Sequence, residues 1–311
     1  MKQQLGNEVS IPKTMRSGNG RYPLLGLLLA NIIFGSVGYF GILTELPSLE
    51  LTFMRCVGGS IFLGMIWYFS GQWKRETWNK GELWRVLVGG LFLTGNWICL
   101  FIAIQQMPLT SATTIYHLAP VLVLVFGSFL YREKLQPLVF LALVICLIGT
   151  GFVSGVGSSL FSSQLFSGGV IWALLAAIMY ACLTLIGKGI KHLSPFAVSF
   201  IQALLGVVVL FPFIETNVFT ELSTSNWVAV GIMGFIHTGI VYILFYSSVR
   251  HLPSRVISAL IFVNPAVAIL LDIMLLGFRP SFAQIGGVAL IFTGMALSII
   301  VPLKNSKKAS V

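Results

Sequence analysis

Apolar runs of about twenty residues, separated by short polar connections, recur ten times along the chain. A hydrocarbon core about 30 Å thick needs around 20 helical residues per crossing. The pattern predicts helices near 23–43, 47–69, 84–104, 110–130, 136–154, 168–187, 195–213, 227–249, 254–276 and 282–302. Several connections are so short that neighbouring helices must run antiparallel. The expected fold class is all-α integral membrane with ten transmembrane helices. Residues 1–20 read as a disordered cytoplasmic arm and 303–311 as a cytoplasmic tail. The first run follows basic residues, as in a signal peptide. Its length, however, is that of a span and not of the short apolar stretch of a cleaved leader.

The basic residues orient the spans. With the amino end inside, the inner segments hold Lys2, Lys13, Arg16, Arg21, Lys74, Arg75, Lys80, Arg85, Arg132, Lys134, Lys188, Lys191, Arg250, Arg255, Lys304, Lys307 and Lys308. The outer loops hold Arg279 alone, and Arg55 lies within the second span. Seventeen against one places both termini in the cytoplasm by the positive-inside bias.

Composition excludes the soluble alternative. Only 9% of residues are charged and 57% are hydrophobic, with mean hydropathy +0.94, too little polarity to coat a protein of 311 residues. The bilayer is therefore the partner of most of the surface. The net charge of +10 comes from residues scattered between spans, which reads as topology and not as a nucleic-acid partner. Cys56, Cys99, Cys146 and Cys182 all fall in apolar runs without a C-x-x-C spacing, so they read as small core residues.

The two halves resemble each other. At an offset of 145, Pro108 falls on Pro253, Pro120 on Pro265 and Gly149 on Gly294. At an offset of 147, Phe53-Met54-Arg55 falls on Phe200-Ile201-Gln202. Five spans per half is an odd number, so the second copy must enter the membrane from the opposite side. Such inverted repeats are a recurrent basis of alternating access.

The segment Thr110 to Gly151, with Pro120, Glu133, Lys134, Gly149 and Gly151, resembles the EamA-type modules of the drug/metabolite transporter superfamily. Ser258, Pro265, Gly277, Arg279, Gly287 and Gly294 repeat the pattern. The resemblance covers about 23–302 and implies two EamA repeats, 23–154 (helices 1–5) and 168–302 (helices 6–10). It also implies a cytoplasmic (inner) membrane location and transport of metabolites such as amino acids, or of drug-like compounds. Phe278 stands where the family carries Glu, and Phe34-Gly35 where it often carries Trp-Gly. Asp272 has no polar counterpart in the first half, where Gly127 occupies its place.

Candidate chemistry is sparse. Arg55 and Asp272 are the ionisable residues clearly within spans, where a charge costs about 2.5–3.5 kcal/mol at the helix centre. Their similar depth suits an intramembrane ion pair or gate; the alternative is Arg55 reaching outward toward Glu50. Asn31, Asn96, His117, His237 and Asn264 fall near mid-span, with Trp97, Tyr116, Tyr180 and Tyr242 nearby in sequence. Together they are candidates for a substrate site with an amphipathic wall, and either histidine is a candidate proton carrier. The bland alternative for each polar residue is a helix–helix hydrogen bond. No metal site, cofactor motif or Walker A is found.

The combined reading is a secondary transporter that exports a small organic solute by alternating access, lined mainly by helices 1, 3, 4, 6, 8 and 9. The rivals are a membrane-embedded enzyme and a receptor without transport activity. Substrate identity, transport direction, coupling ion and oligomeric state stay open at this level.

Overall fold

A computed structural model describes residues 21–107, 109–132, 136–153, 168–276 and 279–306. The described chain is helical, in ten units that follow the ten apolar runs. These are α1 (Arg21–Gly35, then Val37–Leu43), α2 (Ser48–Phe69), α3 (Lys80–Gln106), α4 (Leu109–Tyr116, then Ala119–Tyr131) and α5 (Pro137–Val153). The second half has α6 (Gly168–Lys188), α7 (Pro195–Leu210), α8 (Thr224–Gly234 through Val241–Val249), α9 (Ser254–Ile261, then Val263–Leu276) and α10 (Phe282–Ser306). Seven of them, α1–α3 and α6–α9, are long and apolar enough to cross a membrane by length and composition. The described apolar parts of α4, α5 and α10 are shorter. The amino arm, Glu133, Lys134, Gly277, Phe278 and the side chain of Asp272 lie outside the described residues.

Helix starts fall where a capping side chain supplies an acceptor. Asn79 accepts from the Gly81 and Glu82 amides, which starts α3 four residues ahead of the apolar run. Ser223 and Asn226 form a reciprocal capping box that starts α8 at Thr224, and Ser194 caps α7 just before Pro195. Large apolar side chains such as Phe69, Phe129, Met274 and Phe282 stay exposed on the outside, where lipid would cover them.

Packing repeats the two-fold relation of the sequence. Helix α3 packs on α6 and α8 on α1; α4 on α6 and α9 on α1; α3 on α7 and α8 on α2. Exchanging the halves turns each pair into the other. The pairs α2–α7, α4–α9 and α5–α10 map onto themselves. The relation holds at atomic detail in α5–α10: a methyl on Gly149 would stand 2.6 Å from the Gly287 carbonyl, and one on Gly294 would strike the Ala142 carbonyl. Between them the Cys146 thiol donates to the Ile291 carbonyl at 3.4 Å, 145 residues away. Residue 142 meets 294 while 149 meets 287, so the two helices are antiparallel and the repeats are inverted.

The halves also brace each other's loops in matching places. Glu82, third residue of α3, accepts from the backbone amides of Lys191, His192 and Leu193 ahead of α7. Asn226, third residue of α8, donates to the Leu43 carbonyl ahead of α2 at 2.9 Å. Glycines also let α2 and α8 cross in close contact. A methyl on Gly58 would lie 2.9 Å from Gly234 Cα, and one on Gly234 equally close to Gly58 Cα.

Four helices are not continuous, which the apolar runs alone do not predict. Helices α4 and α9 break at His117–Leu118 and at Phe262. Pro120 and Pro265 have no N–H to give to the carbonyls of Tyr116 and Ile261, four residues back, so each helix opens at that turn. Helix α1 breaks at Ser36, whose hydroxyl bonds back to the Ile33 carbonyl at 2.8 Å, and α8 widens into a π turn over Phe235–Ile240. The symmetry mates of these last two, α6 and α3, run unbroken.

Candidate functional site

The interior between the broken helices is polar and aromatic. Asn31, Arg55, Asn96 and His237 are each at most 1% exposed. Trp97, His117, Tyr180 and Tyr242 are buried, whereas Tyr116 and Asn264 keep part of their surface accessible.

One cluster forms at the π turn of α8. There the wider backbone ring leaves carbonyls to be satisfied by side chains. Arg55 from α2 supplies one such bond, Nη2 to the His237 carbonyl at 3.3 Å, and also donates from Nε to the Thr238 hydroxyl at 3.4 Å. Its guanidinium carbon lies 3.9 Å from the centre of the Trp97 ring and 6.0 Å from that of Phe101. The His237 ring reaches across to the break in α1, with Nε2 2.8 Å from Ser36 Oγ and the ring 5.2 Å from Phe40.

A second cluster joins α3, α4 and α6. Asn96 Nδ2 donates to the Ala176 carbonyl at 2.7 Å and to Tyr116 Oη at 3.3 Å. Tyr116 meets Tyr180 edge-on at 5.7 Å, and His117 stacks on Phe262 at 6.4 Å, so the two proline-opened turns face each other. Tyr242 links the clusters, with Trp97 at 5.7 Å and Phe34 at 5.5 Å, and through Phe245 it reaches Tyr180.

The structure therefore brings seven of the nine candidate site residues into one network of contacts: Asn96, Trp97, Tyr116, His117, Tyr180, His237 and Tyr242. Asn31 and Asn264 make no hydrogen bond to the others. Asn31 Nδ2 turns back to the Leu27 carbonyl at 2.8 Å. Asn264 sits where α9 approaches α1, its carbonyl 3.0 Å from where a methyl on Gly35 would be. Buried polar atoms normally find partners. Among the described residues nine do not, and four of these are Asn31 Oδ1, His117 Nδ1, Tyr180 Oη and Asn264 Oδ1.

Arg55 has no carboxylate partner among the described residues, and the expected pairing with Asp272 falls on a side chain outside them. The alternative pairing with Glu50 is not made; Glu50 accepts instead from the Glu215 amide at 3.1 Å. Sequence reasoning missed the position of Ser36, Thr238, Phe34 and Phe245 around the site. It also gave no role to Gln202, the counterpart of Arg55. Gln202 accepts from Tyr246 Oη at 2.5 Å and donates to the Val86 carbonyl at 3.2 Å. Each of the two residues thus touches an aromatic ring or hydroxyl on one neighbouring helix and a backbone carbonyl on the other. Among the described residues no group of three His, Cys, Asp or Glu side chains stands close enough to hold a metal ion.

A ten-helix membrane protein of two inverted repeats, with broken helices around a polar interior, has the architecture of a repeat-built transporter. The chain belongs to the EamA-like transporter family, which matches it twice, over residues 21–155 and 167–300. It is 47% identical over 277 residues, 89% of each chain, to YxxF, an uncharacterized transporter of Bacillus subtilis (strain 168). It is 25% identical over 289 residues to the uncharacterized transporter PA0485 of Pseudomonas aeruginosa, covering 87% of this chain and 90% of that one. A solved crystal structure shares the fold at TM-score 0.76 with 21% identity, covering 90% of this chain and 98% of the other. The protein is a multi-pass membrane transporter.

Proposed function

We propose that the protein is a secondary transporter that exports a small organic solute, with its termini in the cytoplasm and the two repeats alternating around the interior lined by α1, α3, α4, α6, α8 and α9. The observation that carries this reading is that His117 Nδ1 and Tyr180 Oη stand unpartnered beside an aromatic wall, with Asn31 Oδ1 and Asn264 Oδ1 also unpartnered outside that network. A ligand with hydrogen-bonding groups and an apolar body would satisfy both. The breaks in α1 and α8 meet at Ser36 and His237 and those in α4 and α9 at His117 and Phe262, where unwound backbone can serve a solute or flex as the repeats move. The family resemblance supports export, and the seventeen basic residues assigned to the inner side support the orientation.

Flux in proteoliposomes tests it. Asn96, His117, His237 and Asn264 are changed singly to Ala, and the solute is first found by thermal shift against a panel. Loss of flux with retained surface expression is the expected result. Unchanged flux in all four variants would remove the site. A wild-type protein that moves no solute from a broad panel would remove the transporter mechanism proposed. Repeating the measurement with and without a pH gradient reads whether a proton, carried by His117 or His237, drives the movement.

A further inference from the structure

Arg55 is the one guanidinium buried at the centre of the molecule among the described residues, and its contacts do not neutralise it. Its two hydrogen bonds go to uncharged acceptors and are long, at 3.3 and 3.4 Å. Nη1 makes none among the described residues. Trp97 and Phe101 cover its face, which leaves the N–H edge of a five-donor group only partly used. A buried charge with no anion beside it, as holds for Arg55 among the described residues, is costly to keep. The equivalent residue of the other repeat, Gln202, is neutral and has both ends of its amide engaged. The inverted site is therefore charged in one half only, as suits a ligand with one anionic end.

We propose that Arg55 is the counter-charge for an anionic group on the transported solute, so that the site selects organic carboxylates with an apolar or aromatic body. The carboxylate takes the free N–H edge of Arg55 in charge-assisted hydrogen bonds. The body lies against Trp97, Tyr242 and Phe34, which already pack edge to face around that point. This inference rests on the transporter reading of the same site.

Acids and their primary amides test it, because the amide keeps shape and removes charge. Phenylacetate, indole-3-acetate and hexanoate are titrated into the purified protein in detergent against phenylacetamide, indole-3-acetamide and hexanamide. At least one acid is expected to bind roughly tenfold or more tightly than its amide, the scale of one hydrogen bond to a charged group. Arg55→Lys keeps part of that preference and Arg55→Gln abolishes it. Amides that bind as well as their acids, no binding by any acid, or an Arg55→Gln protein that still prefers the acid would each overturn the proposal. The acid–amide comparison on the unaltered protein decides the matter even where a variant does not fold. Counterflow in liposomes separates the two readings. An acid that binds without exchanging removes the transport role and leaves the anion site, whereas exchange with no preference for acids does the reverse.

Discussion

The Arg55 guanidinium lies over the Trp97 ring at 3.9 Å, joining α2 to α3 in the interior of the protein. A cation over an aromatic face contributes about 2 kcal/mol or more when desolvated. Trp97→Phe, which keeps a face for Arg55, is expected to cost roughly 1–2 kcal/mol. Trp97→Ala removes the ring altogether and is expected to cost about 3–5 kcal/mol. Thermal unfolding in detergent measures both, and equal melting temperatures for the two variants would show that the ring face contributes nothing.

Glu82 ties α3 to the loop ahead of α7 through three backbone amides, and its carboxylate lies 2.9 Å from His192 Nδ1. Glu82→Ala leaves those donors without an acceptor, at about 1–3 kcal/mol for a buried group. Asn226→Ala at the matching position loses its bond to the Leu43 carbonyl and the bonds its Oδ1 accepts from Ser223, none of them to a charged group, and is expected to cost less. Side-by-side melting curves give the order, and a larger loss at Asn226 would contradict it.

Gly58 and Gly38 make opposite predictions although both are helical. At Gly58 an added methyl meets backbone, Gly234 Cα at 2.9 Å, which cannot rotate away. Gly58→Ala is expected to cost about 1–3 kcal/mol by overpacking. At Gly38 nothing lies within 4 Å, so Gly38→Ala is expected to be neutral or to gain up to about 1 kcal/mol of helix propensity. Fluorescence-detected gel filtration after heating compares the two.

The orientation is checked by labelling single cysteines in intact cells. A cysteine at Lys80 is expected to react only from the cytoplasm and one at Glu215 only from outside. Reaction of both from one face would contradict the inverted arrangement.

Much of this architecture could be read from the chain itself, for particular reasons. Span length is a one-dimensional property, so the ten helices followed from apolar runs alone. The offset of 145 placed Cys146 on Ile291 and Pro120 on Pro265, and each pair takes equivalent places in the structure. The break at Ser36 and the π turn at Phe235–Ile240 were not legible, because no proline marks either one. The partner of Arg55 was not legible either. It depends on how α2, α3 and α8 cross, and Gly58 and Gly234 set that crossing from positions far apart in sequence. Seven of the candidate residues chosen by mid-span depth share one network of contacts, but depth says nothing about rotation about the helix axis. That is why Asn31 turned back onto its own helix while Asn96 reached across to α4 and α6.

The kink at Ser36 and the wide turn in α8 belong to helices whose mates, α6 and α3, are straight and lie packed on each other. One end of the molecule thus has joints and the other has a stiff strut. Two motions that symmetry would make equivalent begin from different stiffness, and the step that bends α1 and α8 should meet a different barrier from the step that must shift α3 and α6 as a unit.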